Sequence, residues 1–167
     1  MFHITSPVLY ALLVSKFQKI KPCPKSNLML TLRRYHNIGL SLLSSLMLFG
    51  YLLANIQTGK LYSFHSIVCQ SYHDNKIIYY SSQMFLYSKY WEWLDTLFLH
   101  LSGKPISQLQ YTHHMSVPLV TYMNLKNFVT PYALIPAGLN CLVHIFMYWY
   151  FAYPKGVLFP IRKIITI

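Results

Sequence analysis

Residues Ile38 to Ile56, IGLSLLSSLMLFGYLLANI, run for nineteen positions without a single charged side chain. About 20 predominantly apolar residues, rising 1.5 Å each, cross the roughly 30 Å hydrocarbon layer of a bilayer. The stretch therefore reads as a membrane span. The rest of the chain agrees with that setting. Of its 167 residues 54% are hydrophobic, 17% aromatic and only 10% charged, against roughly 25% charged in soluble domains. The net charge of +11 does not describe a nucleic-acid surface. The lysines and arginines form short clusters between long apolar runs, as in multi-span membrane proteins, and not a groove-reading stripe beside a soluble core.

Further runs lie on both sides of that span. Pro7 to Val14 is too short to cross and reads as the tail end of a span. It leads into Lys16, Lys19, Lys21 and Lys25, where Pro22 and Pro24 break any helix. Ile77 to Leu101 is long and aromatic but carries Lys89, Glu92 and Asp95. Thr112 to Leu125 extends back to Ile106 as a shorter helix. Pro131 to Tyr153 is a full span with Asn140 and His144 inside it, and from Gly156 to Ile167 a sixth apolar segment begins. The expected fold class is all-α: a polytopic membrane helical bundle with about five to six spans. Cys23, Cys69 and Cys141 are too few and too scattered for a disulfide or zinc framework, and Cys141 reads as a small packing residue. The opening SPVLYALLV is apolar but short, and nothing resembling a cleavage site follows it.

Orientation follows from the basic residues. Lys16, Lys19, Lys21, Lys25, Arg33, Arg34, Lys104, Lys155, Arg162 and Lys163 fall on one face when sides alternate. Lys60, Lys76 and Lys126 fall on the other, and Lys89 lies within a span. Ten against three makes the first face cytosolic.

Ionisable residues inside spans are costly and are functional candidates. In KYWEWLDT, Lys89, Glu92, Asp95 and Thr96 follow offsets that line one helical face, as a self-neutralising ladder or as a site. In QLQYTHHMSV, Gln110, His113 and His114 share a face, and in NCLVHIFMYWY the residues Asn140, His144 and Tyr148 repeat at four-residue spacing. Three successive segments thus each carry a polar stripe, which a bundle turns inward. His3, His36, His65 and His73 fall in terminal or loop positions and read as surface histidines, and His100 as interfacial. A metal reading of the histidine pair is weak. Glutamine at the first position of the box is a poor ligand, and His113, His114 and Asp95 amount at most to a single zinc site.

The three motifs, in this order, resemble the ELO family of very-long-chain fatty acid elongases, whose pattern is KxxExxDT, then HxxHH, then NxxxHxxMYxYY. YHN at Tyr35 to Asn37 echoes the entry to that family's second span. The resemblance covers essentially the whole chain. It implies a seven-span fold with six spans ringed around an acyl tunnel. The chain is then a single transmembrane elongase domain, 1–167, expected to be truncated at both ends. It implies a 3-ketoacyl-CoA synthase, an acyltransferase of the endoplasmic reticulum membrane that condenses acyl-CoA with malonyl-CoA and releases CO2 and CoA. No metal or other cofactor is expected.

The resemblance also assigns residues. His113 is the expected nucleophile, with His114, Asp95 and Asn140 orienting imidazoles and His144 stabilising enolate charge. Lys89, Glu92, Gln110 and Tyr148 are expected to line the substrate, with Lys104 and Arg162 at the coenzyme phosphates. The partners implied are membrane lipid, the ketoacyl-CoA reductase, dehydratase and enoyl reductase of the elongation cycle, and a second copy of the chain. Gln110 departs from the pattern: it stands where the family has its first histidine, and it can hydrogen-bond but not titrate. The competing expectations are a metal-dependent lipid oxygenase or desaturase and an inactive elongase fragment.

Overall fold

A computed structural model describes residues 3–24, 26–59, 63–69, 75–126 and 131–161. Every regular element among them is helical: α1 (Ser6–Phe17), α2 (Asn27–Gln57), α3 (Phe64–Cys69), α4 (Lys76–Trp91), α5 (Trp93–Leu101), α6 (Gln108–Lys126) and α7 (Pro131–Ala152), followed by a 3₁₀ turn at Phe159–Ile161. Short polar side chains start several of these helices. Ser26 Oγ accepts the Met29 amide at 3.3 Å, Asn75 Oδ1 the Ile78 amide at 3.1 Å, and Ser107 Oγ the Gln110 amide at 3.1 Å, each satisfying an otherwise orphaned first-turn donor. Helix α5 ends on Gly103 at φ +69°. The Gly103 amide donates to His100 and the Lys104 amide to Leu99, a paired closure that requires a left-handed residue.

Two of these helices, α2 and the Ala133–Ala152 part of α7, are long and apolar enough to cross a membrane by length and composition. Helix α2 begins well before Ile38 and has 31 residues, or about 46 Å at 1.5 Å per residue. It takes in Arg33 and Arg34, which are good helix formers whose long stems reach out of an apolar layer. The single helix expected over Ile77 to Leu101 is instead two, α4 and α5. At the junction the Asp95 amide donates to the Glu92 carbonyl, three residues back, at 3.0 Å. The helix tightens there for one turn. The segment after Tyr153 is also not a span where it is described. Gly156 and Phe159 close turns onto Tyr153 and Gly156, and Pro154 and Pro160 withhold the amides a continuing helix would need.

Polarity is inverted relative to a soluble domain. Tyr35, Leu42, Phe49 and Ile56, seven residues apart along α2, are exposed, as are Leu46, Val120, Leu139, Val143 and Phe146. Buried instead are Asn37, Ser41, Ser44, Ser81, Ser82, Ser88, Lys89, Glu92 and His144. Hydrocarbon outside and polar groups inside is the distribution a membrane imposes.

The chain divides into two compact units, Met1–Arg33 with Leu86–Met123 and Arg34–Phe85 with Asn124–Ile167. In the first, Tyr10 and Val14 of α1 pack on Trp93 of α5, flanked by Tyr90, Ile106, Tyr111 and Met115. The connection after α1 is pinned to the end of α5. The Cys23 amide donates to the Leu101 carbonyl at 2.9 Å, His100 Nε2 lies 2.8 Å from the Ile20 carbonyl, and Arg33 donates to Ser102 Oγ at 3.1 Å. Lys19, Lys21 and Lys104 therefore gather at one end of this unit.

In the second unit, Met47, Tyr51 and Ala54 of α2 meet Ile78 and Phe85 of α4 and Leu134 and Cys141 of α7. Cys141 is the packing residue expected. A Cβ on Gly50 would run into the Ser81 hydroxyl, so that glycine sets the close approach of α2 to α4. Ser41 Oγ donates to the Ile145 carbonyl at 2.9 Å, and the Arg34 guanidinium lies 4.4 Å over the Tyr153 ring. Helix α3 packs on α7.

Two histidines read as surface residues are not. His36 lies inside α2 and is 7% exposed. His3 is partly buried, bonded to Tyr90 Oη at 2.8 Å and stacked on Tyr122. Their positions beside charged or terminal residues hid the packing. His65 is exposed as expected, and His73 lies outside the described residues.

Candidate active site

In the first unit the structure brings the KYWEWLDT and QYTHH motifs together. Lys89 Nζ donates to Glu92 Oε1 at 2.7 Å, and each side chain is only 2% exposed. Ser88 Oγ donates to the same oxygen at 3.4 Å. The ladder inferred from the spacing is thus a buried ion pair, in which the meeting of the charges offsets their desolvation. Thr96, fully buried, lies 2.8 Å from Tyr10 Oη and accepts from Gln110 Nε2 at 3.5 Å. Gln110, the departure from the histidine pattern, therefore reaches the last residue of the first motif. Asp95 is partly exposed in the first turn of α5.

The histidine box sits on α6. His114 is buried and His113 partly so, their rings 5.5 Å apart and inclined at 71°. The Tyr10 ring is nearly parallel to the His114 ring at 6.1 Å. Trp93 Nε1 donates to the main-chain carbonyl of His114 at 2.9 Å. Four residues beyond His114 stands Pro118, buried inside the helix, and proline has no N–H to offer to that carbonyl.

In the second unit the third motif forms its own stripe on α7. Asn140 Nδ2 is 3.3 Å from His144 Nε2, and the His144 and Tyr148 rings meet edge to face at 5.2 Å. His144 and Tyr148 are buried. The amide beside Nε2 and the ring beside it limit the orientations that imidazole can take. Lys104 is exposed just after α5, and Arg162 lies outside the described residues. Among the described residues no three His, Cys, Asp or Glu side chains come together to hold a metal ion.

Tyr10 and Trp93 were not singled out from the sequence, because an aromatic residue in an apolar run gives no signal by type. Pro118 did carry one: a proline four residues after a histidine of interest marks a main-chain carbonyl from which the regular helix bond is withheld.

Comparison with known proteins agrees with the motifs. Residues 1–167 match the ELO (GNS1/SUR4) family. The chain is 31% identical to Fatty acid elongase A of Dictyostelium discoideum over 70% of its own length and 42% of that protein's. It is 30% identical to Fatty acid elongase sre1 of the same organism, over 90% of its length and 57% of that protein's. To Fatty acid elongase 2 of Trypanosoma cruzi it is 38% identical over 41% of its length and 24% of that protein's. The chain thus spans about half the length of the first two elongases. No solved structure matches it. With the family matched from first residue to last and its three motifs carried in order on helices, the chain belongs to the ELO (GNS1/SUR4) family.

Proposed function

We propose that this chain carries the condensing chemistry of fatty acid elongation: an acyl-CoA and malonyl-CoA give a 3-ketoacyl-CoA, CO2 and free CoA. The observation that carries this reading is the meeting of the first two motifs, through Gln110 with Thr96 and Trp93 with His114.

The first half-reaction belongs to the histidine box. A neutral imidazole nitrogen of His113 attacks the thioester carbonyl, the C–S bond breaks, and the imidazole proton leaves with the CoA thiolate as the free thiol. The product is an acyl-imidazole, reactive enough to pass its acyl group on. Asp95 and His114 set the tautomer and orientation of that imidazole. Lys89, Glu92, Gln110 and Tyr148 are the residues assigned to line the substrate, Gln110 by hydrogen bonding without titrating. In the second half-reaction malonyl-CoA loses CO2, and the resulting enolate carbon attacks the acyl carbonyl. The C–N bond breaks and His113 regains a proton. Enolate charge calls for a fixed donor, the role the family resemblance gives to His144, with Asn140 beside it on α7 to orient the imidazole. Coenzyme phosphates stay outside hydrocarbon, and Lys104 and Arg162 are the cations assigned to them. The setting is the endoplasmic reticulum membrane. The reductases and dehydratase that complete the cycle take the product onward, and a second copy of the chain is the expected partner.

The test is CoA release from a long acyl-CoA without malonyl-CoA, with the acyl mass located by peptide mass spectrometry. The label is expected on the peptide containing His113, and His113→Ala should abolish both label and release. Release undiminished in that variant, or label on another peptide, overturns the assignment.

A further inference from the structure

The indole of Trp93 holds the main chain of the histidine box at the one place where the helix itself withholds a bond. In a regular helix the amide of residue 118 would donate to the carbonyl of residue 114. Pro118 has no such amide, and its ring crowds the same carbonyl. Trp93 Nε1 meets this carbonyl from outside the helix, at 2.9 Å. Trp93 is 5% exposed and Pro118 is buried, so the contact is made away from solvent, where hydrogen bonds are strongest. Trp93 is itself wedged, with its ring 5.3 Å from that of Tyr10 and edge-on to Tyr90 at 5.0 Å.

We infer that Trp93 is a positioning residue: with Pro118 it forms a side-chain-to-backbone tether that fixes where α6 presents His113 and His114. Phenylalanine at position 93 would fill much the same space and could not make the tether. An alanine at 118 would offer an N–H that competes with the indole for the same carbonyl. The two positions act on one atom, so their effects on the box are coupled. The inference rests on the proposed role of the histidine box only for its consequence in catalysis. The tether itself is testable without turnover.

The experiment is carried out on the chain in membranes. Carbethoxylation of individual histidines by diethyl pyrocarbonate is followed by mass spectrometry, and rates for His113 and His114 are divided by the rate for exposed His65. Trp93→Phe is expected to change these ratios about threefold or more, and Pro118→Ala to change them in its own right. The double variant should match the larger single effect and not the product of both. In condensation assays Trp93→Phe should lower kcat about tenfold at unchanged KM, in line with the cost of misplacing a reacting group. Unchanged ratios in Trp93→Phe, or multiplicative effects in the double variant, overturn the tether. A variant that unfolds brings every histidine up to the His65 rate. Pro118→Ala then decides alone, and unchanged ratios there likewise overturn it. Loss of acyl-CoA-dependent CoA release in the unaltered chain would count against the proposed function while leaving the tether standing on its reactivity ratios.

Discussion

Breaking the Lys89–Glu92 pair should be among the most damaging single changes in the first unit. The two side chains meet at 2.7 Å and are each 2% exposed, so neither charge can recover hydration when the other is removed. An exposed pair contributes about 0–1 kcal/mol. Removing one member of a buried pair costs about 3–5 kcal/mol, a shift of roughly two to four powers of ten in the unfolding equilibrium. Glu92→Gln and Lys89→Met should therefore each destabilise by about that amount. The double variant Lys89→Met with Glu92→Leu removes both desolvated charges, and it should lie within about 1–2 kcal/mol of the parent. The assay is denaturant unfolding in detergent micelles followed by circular dichroism, analysed as a double-mutant cycle with a coupling of at least about 2 kcal/mol expected. Single variants costing under 1 kcal/mol, or a double variant worse than either single, would refute the buried-pair reasoning.

Other expectations concern packing and placement. Tyr10→Phe removes the hydroxyl that meets Thr96 at 2.8 Å, and should cost about 0.5–1.5 kcal/mol in the same assay. Gly50→Leu places a side chain against the Ser81 hydroxyl, and should cost about 1–3 kcal/mol by overpacking α2 against α4. Single cysteines at Lys19 and Lys104, which lie at one end of their unit, should label with an impermeant maleimide from the same side of sealed membranes; labelling from opposite sides would reject that placement.

Much of this was legible in the sequence, and the parts that were not share physical causes. The run from Pro131 was expected to end at Tyr153 and ends at Ala152, because uncharged length bounded by proline is an unambiguous signal. The start of α2 was not legible. Arg33 and Arg34 look like the end of an apolar run, yet the backbone continues in helix through them. The division at Glu92 was hidden too, since hydrophobic periodicity does not register one tightened turn. The motif residues were found because ionisable groups are rare in apolar segments. Tyr10 and Trp93 escaped because their importance lies in one polar atom on an otherwise ordinary aromatic core. His36 was missed because its neighbours Arg34 and Tyr35 face outward while it turns inward.

The inverted polarity of the helices has a thermodynamic consequence. Heat-capacity changes in soluble proteins, about 12–15 cal/mol/K per residue, arise from apolar surface meeting water on unfolding. Here Leu42, Phe49, Leu139 and Phe146 already face outward, and in a bilayer or micelle they contact hydrocarbon before and after helix separation. Their contribution to that change vanishes. The stability curve of this chain should therefore be nearly straight with temperature, lacking the dome and the cold-induced unfolding that hydration gives to water-soluble folds.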